Sequence, residues 1–216
     1  MLHSKMKEDR QGGFTLIELM FTVTVLAILL GFGIPNFRDF IRNSRMSAQA
    51  NDLLSGINLT RSEAVKRRAP VTLCSGTAAA CVNDGNFSDG WVVFVDRNGN
   101  GAFDEAAADV LVEHDAMPDS IESVPIYSTA VAEDADDAGY AASTASYFSY
   151  GSSGFRRMAD GSMPAAVAMV LCDVRKNTAS GGGADMSAAR AIEISATGRT
   201  VISRSISRIG ALGGCP

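Results

Sequence analysis

Histidine is nearly absent from this 216-residue chain: His3 and His114 are the only two. The four cysteines show no Cys-x-x-Cys spacing, and no paired histidines accompany them, so a zinc site finds no support. A nucleophile elbow is missing as well. Gly151-Ser152-Ser153-Gly154 lacks its pattern and reads as a turn. His114 stands alone in an apparent strand and reads as a surface or packing residue. These absences argue against an enzyme and give no reason to expect a cofactor. Also lacking is an ordinary secretory signal, in which a short apolar region is followed by a small-residue cleavage site. Here the small residues, Gly12 and Gly13, come before the apolar run.

That run is the dominant feature present. Residues 1–13 are polar, and Phe14–Ile34 are then 21 residues with one charge, Glu18. About 20 residues at 1.5 Å each cross a ~30 Å hydrocarbon core, so the run is long enough to span a bilayer as one helix. An ionised carboxylate in hydrocarbon is expensive and needs a partner. Cutting after Gly13 supplies one: a free amine on Phe14, about one helical turn from Glu18, available to the Glu18 of a neighbouring subunit. A plain signal anchor needs neither the Gly-Phe junction nor the glutamate.

Gly13-Phe14-Thr15-Leu16-Ile17-Glu18, followed by the apolar run and Pro35, resembles the type IV prepilin signature. The resemblance implies cleavage after Gly13 by prepilin peptidase, N-methylation of Phe14, and guidance of filament docking by Glu18. It further implies other major and minor pilins and an inner-membrane assembly platform as partners. The chain would sit in the inner membrane as a single-pass protein with a periplasmic domain, and on the pilus or cell surface after assembly. Removing residues 1–13 leaves a net charge of −6, against −5 for the whole chain.

Beyond Pro35 the helical pattern continues to about Arg68. Met46, Ala50, Leu53, Leu54, Ile57, Ala64 and Val65 form one apolar stripe. Pro70 ends the helix, having no N–H to continue it. Pro35 is expected to kink or locally melt it, a break that the family associates with extension of the stalk. Arg38, Arg42 and Arg45 read as a solvated face, with lipid headgroups or acidic neighbours as the sharper alternative. About 150 residues remain, enough for one domain with its own core. Short β-like runs are expected at 71–75, 91–96, 110–114, 124–128, 147–150, 165–172, 191–195 and 200–205, as an antiparallel sheet packed on the helix. NTASGGGA, at 177–184, reads as a flexible loop joining two hairpin strands. Cys74, Cys81, Cys172 and Cys215 all follow the apolar run, and an exported domain favours disulfides. Three pairings are possible. The preferred one is Cys74–Cys81, closing a small loop, with Cys172–Cys215 stapling the C-terminus to the core.

GWVVFVDRNGNG (90–101), DVLVEHD (109–115), ARAIEISATGR (189–199) and a terminal cysteine resemble the GspH/FimT family of minor pilins and pseudopilins. The expectation is therefore an α+β type IV pilin fold in four parts: a leader (1–13), a transmembrane and assembly helix (14–35), its amphipathic continuation (36–69) and a β-rich globular domain with two disulfides (70–216). The function implied is that of a minor pilin that primes, caps or enters a pilus. A type II secretion pseudopilin and a DNA-binding pilin for uptake are the alternatives. Asp96, Asn98 and Asn100 match positions one, three and five of an EF-hand loop, and Asp104 could complete a looser calcium site. Position twelve is Ala107, however, and the two Asn-Gly pairs favour a hairpin turn.

Charge is uneven. No Lys or Arg occurs between Asn98 and Phe155, while eleven acidic residues lie between Asp104 and Asp137. From Met186 onward Arg190, Arg199, Arg204 and Arg208 oppose only Glu193. Some relatives bind DNA through a C-terminal Gly-Arg-x-Arg motif. Gly198-Arg199-Thr200-Val201 keeps only its first half, so Arg204 and Arg208 would have to stand in.

Overall fold

The structure is a computed structural model describing residues 13–77, 80–81, 86–103, 108–118, 121–128, 141–142, 147–161, 166–180 and 183–215. Residues 1–12 of the expected leader, Asp104 and the acidic stretch at 133–137 lie outside the described residues. Two compact units divide the chain, Met1–Ile41 and Arg42–Pro216, and the helix α1 (Leu16–Arg67) contributes to both.

In the first unit every described side chain of α1 from Leu16 to Phe40 is exposed, and the run is long and apolar enough to cross a membrane. Three of its uncharged polar side chains bond to their own helix. The Thr22 hydroxyl donates to Leu19 O (2.9 Å), Thr24 to Met20 O (2.8 Å) and the Asn36 amide to Phe32 O (3.0 Å). Position 35 is helical, so the local melting expected there does not occur. A proline removes a single i→i−4 bond, and the turns on either side hold the helix together.

In the second unit one face of α1 is buried at Met46, Ala50, Leu53, Ile57, Thr60 and Ala64, with spacings of four and three. Val65, expected in this stripe, is 49% exposed. One residue past Ala64, it is rotated about 100° off the buried line. Gly56 also faces inward. A Cβ there would lie 2.6 Å from the Trp91 ring, so the indole rests on bare backbone. The helix ends at Arg67, Arg68 turns left-handed (φ 54°), and Pro70 follows.

The strands are β1 (Val71–Thr77), β2 (Ala80–Cys81), β3 (Trp91–Asp96), β4 (Ala108–His114), β5 (Ile121–Ser128), β6 (Ala141–Ala142), β7 (Tyr147–Tyr150), β8 (Arg156–Arg157), β9 (Val167–Asp173), β10 (Met186–Ile194) and β11 (Thr200–Ser205). A short helix, α2 (Ile206–Ala211), follows. They build two antiparallel sheets rather than the one expected. The first has the order β4-β3-β1-β7-β8 with β2 added to β1, and the second β11-β10-β9-β5-β6. Each of the eight expected runs overlaps a strand. β10 starts five residues before the expected position, and the expected loop at 177–184 falls between β9 and β10, which pair antiparallel.

Both sheets and the inner face of α1 share one apolar core, which explains the long uninterrupted buried runs. Because alternate residues point to opposite faces, Val167, Met169 and Leu171 of β9 enter this core, while Ala168, Val170 and Cys172 pack outward with Ile209 of α2 and Leu212 just after it. In the first sheet Val93 and Val95 point inward, and Val92 and Phe94 outward. Phe94 meets Phe103 edge to face at 5.1 Å.

Candidate functional site

The N-terminal region is built from the start of α1. Thr15 precedes the first helical residue, and its Oγ accepts from the Glu18 N–H at 3.3 Å. A threonine followed three residues later by glutamate is a capping box, a sequence signal distinct from the pairing role expected of Glu18. Glu18 is therefore suited to close the helix start, and its charge is favourable near the exposed N–H groups of the first turn. Phe14 is 82% exposed just ahead of this cap, and a Cβ added at Gly13 would meet no atom within 4 Å. Gly13, Phe14 and Glu18 are thus all open to solvent on one short stretch.

The four cysteines form Cys74–Cys81 and Cys172–Cys215, with Cα separations of 5.7 and 5.8 Å. The first closes the β1–β2 hairpin, and the second fixes the segment after α2 onto β9.

Asp96 ends β3 with 2% exposure. Its Oδ1 accepts from Gly99 N (2.8 Å), and its Oδ2 accepts from Gly101 N (2.9 Å) and lies 3.1 Å from Thr72 Oγ. Asn98 Oδ1 and Asn100 Oδ1 likewise accept from Asn100 N and Ala102 N. The side-chain oxygens that a calcium ion would use are thus turned onto the loop's own backbone. Gly101 needs its positive φ of 74°, and Tyr147 would lie 2.6 Å from a Cβ there. Among the described residues no group of three or more His, Cys, Asp or Glu side chains is arranged to hold a metal ion.

His114, at the end of β4, stacks on Trp91 with ring centroids 4.8 Å apart and planes 13° apart. Its Nε2 lies 3.9 Å from Asp52. The histidine is a packing residue.

The C-terminal arginines do not form one strip. Arg199 and Arg208 line a cleft of about 360 Å³ with Glu193, Ser195 and Val201. Arg208 is already paired there, its Nη2 lying 2.7 Å from the Glu193 carboxylate, while Arg199 is exposed. Arg204 departs from this cleft. Even-numbered residues of β11 face α1: Thr200 reaches Asn58 at 3.3 Å, Ile202 packs on the core, and Arg204 reaches Ser180 O at 3.4 Å. A separation of five residues puts Arg199 and Arg204 on opposite faces of an extended chain. Arg190 is buried at 2% exposure. Its Nη1 donates to the carbonyls of Ser187, Ala188 and Ala189, and its Nη2 to Ser47 Oγ at 3.1 Å. Burial, then the nearby Arg204 and Arg175, pull its pKa down to about 10, which leaves it charged at neutral pH.

Set beside known proteins, the sequence has relatives. Residues 9–34 match the prokaryotic N-terminal methylation motif. The chain is 44% identical over 39 residues to the prepilin peptidase-dependent protein D of Escherichia coli K12, covering 18% of this chain and 27% of that one. It is 42% identical over 53 residues to the type IV major fimbrial protein FimA of Dichelobacter nodosus, covering 24% and 32%. With the type IV major alpha-pilin of Moraxella bovis it shares 31% over 63 residues, covering 29% and 40%. The chain therefore spans well under half the length of these curated relatives. Among solved structures, the type IV minor pilin FimU of Pseudomonas aeruginosa is similar, at 16% identity and a TM-score of 0.48, covering 76% of this chain and 92% of that one. Residues 49–198 match the family described as type II transport protein GspH. Since that match takes in more than half of the sequence, the chain belongs to the GspH family of pilin-like proteins, a structural and not an enzymatic family.

Proposed function

We propose that this chain is a minor subunit of a type IV pilus, built into the filament through the first half of α1. One observation carries the reading: an apolar helix surface, exposed from Leu16 to Phe40, holds a single carboxylate before Asp39, and that carboxylate is in its first turn. In this reading residues 1–13 are a leader removed by prepilin peptidase, and Phe14 becomes the N-methylated terminus. The amine on Phe14 of one subunit pairs with Glu18 of its neighbour, which offsets the cost of a carboxylate in apolar surroundings. Pro35 is the position at which the helix has one backbone bond fewer to lose when the stalk lengthens. Before assembly the protein is anchored in the inner membrane with its globular unit in the periplasm. Its partners there are the assembly platform and other major and minor pilins.

The family description favours a second reading, a pseudopilin of a type II secretion system. DNA uptake has less behind it, because Arg204 leaves the strip and Arg208 is neutralised by Glu193.

The test is deletion in a host that makes pili and secretes proteins, complemented with wild type or Glu18→Ala. The variant is expected to be processed and membrane-inserted but missing from sheared filaments. Wild-type levels of Glu18→Ala in filaments would end the assembly role of Glu18. Loss of pili with normal secretion supports the pilus, and the converse supports the pseudopilin.

A further inference from the structure

Three arginines gather where α1 enters the globular unit. Arg175 holds the Asp173 carboxylate through Nε (2.9 Å) and Nη2, and its Nη1 lies 2.9 Å from Asn43 Oδ1 and 3.1 Å from Ser180 Oγ. Arg204 reaches the same residue from the other side, donating to Ser180 O at 3.4 Å. Arg190 is tied to Ser47, one turn along α1 from Asn43. The charges do not balance. Asp173 satisfies Arg175, whereas the hydrogen-bond acceptors around Arg190 and Arg204 are all neutral carbonyls or hydroxyls.

A second observation is independent of the count. Arg204 Nε is buried from solvent and has no hydrogen-bond partner among the described residues. A guanidinium N–H withdrawn from water and left unbonded is costly, and one on a charged group more so. The missing group is an acceptor, and the surplus of two positive charges says that it is an anion. A guanidinium fork suits a multi-oxygen oxyanion better than a single carbonyl. The arginines are also held in place before any ligand arrives, since Arg190 is clamped by three carbonyls and Arg175 by its own carboxylate. Arg204 is only half-buried, so the cluster opens toward solvent on its side.

We propose that Arg175, Arg190 and Arg204, with Asn43, Ser47 and Ser180 around them, form a binding site for a phosphate-class oxyanion. That chemistry is offered both by free phosphate and by the headgroup of an anionic phospholipid. The site is separate from the Arg199–Arg208 cleft, from which strand alternation divides it.

The experiment uses the full chain in neutral detergent, with unfolding followed by the fluorescence of Trp91, the single tryptophan. Phosphate is compared with chloride at equal ionic strength. A saturable rise in melting temperature is expected, roughly 5 °C at a hundredfold excess over the dissociation constant. It should disappear in Arg204→Gln and persist in Arg199→Gln. In nanodiscs without free phosphate, a rise with phosphatidylglycerol but not phosphatidylcholine, absent from Arg204→Gln, identifies the lipid as a source. A rise with free phosphate alone identifies the soluble anion. Equilibrium dialysis of the wild type with inorganic phosphate needs no variant, and a single phosphate bound per chain is expected if the soluble anion is the ligand. The proposal is overturned if neither source stabilises the protein beyond matched chloride, or if Arg204→Gln retains the effect.

Discussion

Gly56 shows how much one hydrogen can decide. Alanine gains ~1 kcal/mol over glycine in a helix interior, so propensity alone favours Gly56→Ala. The added Cβ would lie 2.6 Å from the rigid ring of Trp91, a side chain 3% exposed. Overpacking should win, and we expect a net loss of about 2 kcal/mol, read as a lower urea midpoint by Trp91 fluorescence. Asp96→Ala makes the complementary case. It removes the acceptor for two loop N–H groups and the neighbour of Thr72, and should cost about 3 kcal/mol. Because those oxygens already serve the turn, calcium or a chelator should leave the wild-type midpoint unchanged. At this scale the sequence is half legible. The Asn-Gly pairs spell out the turn, and Thr15-x-x-Glu18 spells out a cap that is easily missed beside the intersubunit pairing proposed for the same glutamate. Arg199, Arg204 and Arg208 look like one strip when charges are counted without the alternation of a strand. The fate of Arg190 cannot be read at all, since its acceptors are carbonyls of its own irregular strand segment.

At the scale of elements, strands announce themselves where β-branched and aromatic residues cluster, as in Trp91–Asp96 and Tyr147–Tyr150. The start of β10 does not, because Ser187-Ala188-Ala189 carries no such preference. Its register against β11 shifts between Met186 and Ala191, the stretch that Arg190 gathers in. Two sheets cannot be told from one, since both faces of β1, β3 and β9 are buried and the period-two pattern is erased. The disulfides differ in what they hold. Cys74–Cys81 spans 7 residues within a hairpin, and Cys172–Cys215 spans 43 and secures α2. Loop-closure entropy assigns roughly 2.5 kcal/mol to the first and roughly 4 kcal/mol to the second. Replacing the Cys172–Cys215 pair with serines should therefore lower the denaturation midpoint more than replacing Cys74–Cys81. The reverse order would show that strain or residual structure dominates.

For the whole molecule, the division into Met1–Ile41 and Arg42–Pro216 has an energetic counterpart: among the described residues none of the apolar core precedes Met46. A chain lacking residues 1–41 should therefore stay folded, with a urea midpoint matching that of the full chain in detergent. A large drop would mean that the first unit supplies stability to the second. Length, apolar run and cysteine placement make this division legible in the sequence. The packing that gives the second unit its own core is not legible there, because it joins residues far apart in the chain.

The side-chain bonds of Thr22, Thr24 and Asn36 to their own helix carry a last implication. A segment whose polar atoms are satisfied internally presents the same outer surface to any apolar medium. Exchanging hydrocarbon tails for the side chains of sister helices then alters mainly dispersion contacts, with no polar group to rewet or re-pair. Such a transfer has a small free-energy difference in either direction. Under the proposed function the same rod is withdrawn from one environment and returned to it repeatedly, and Glu18 is the group whose surroundings change each time.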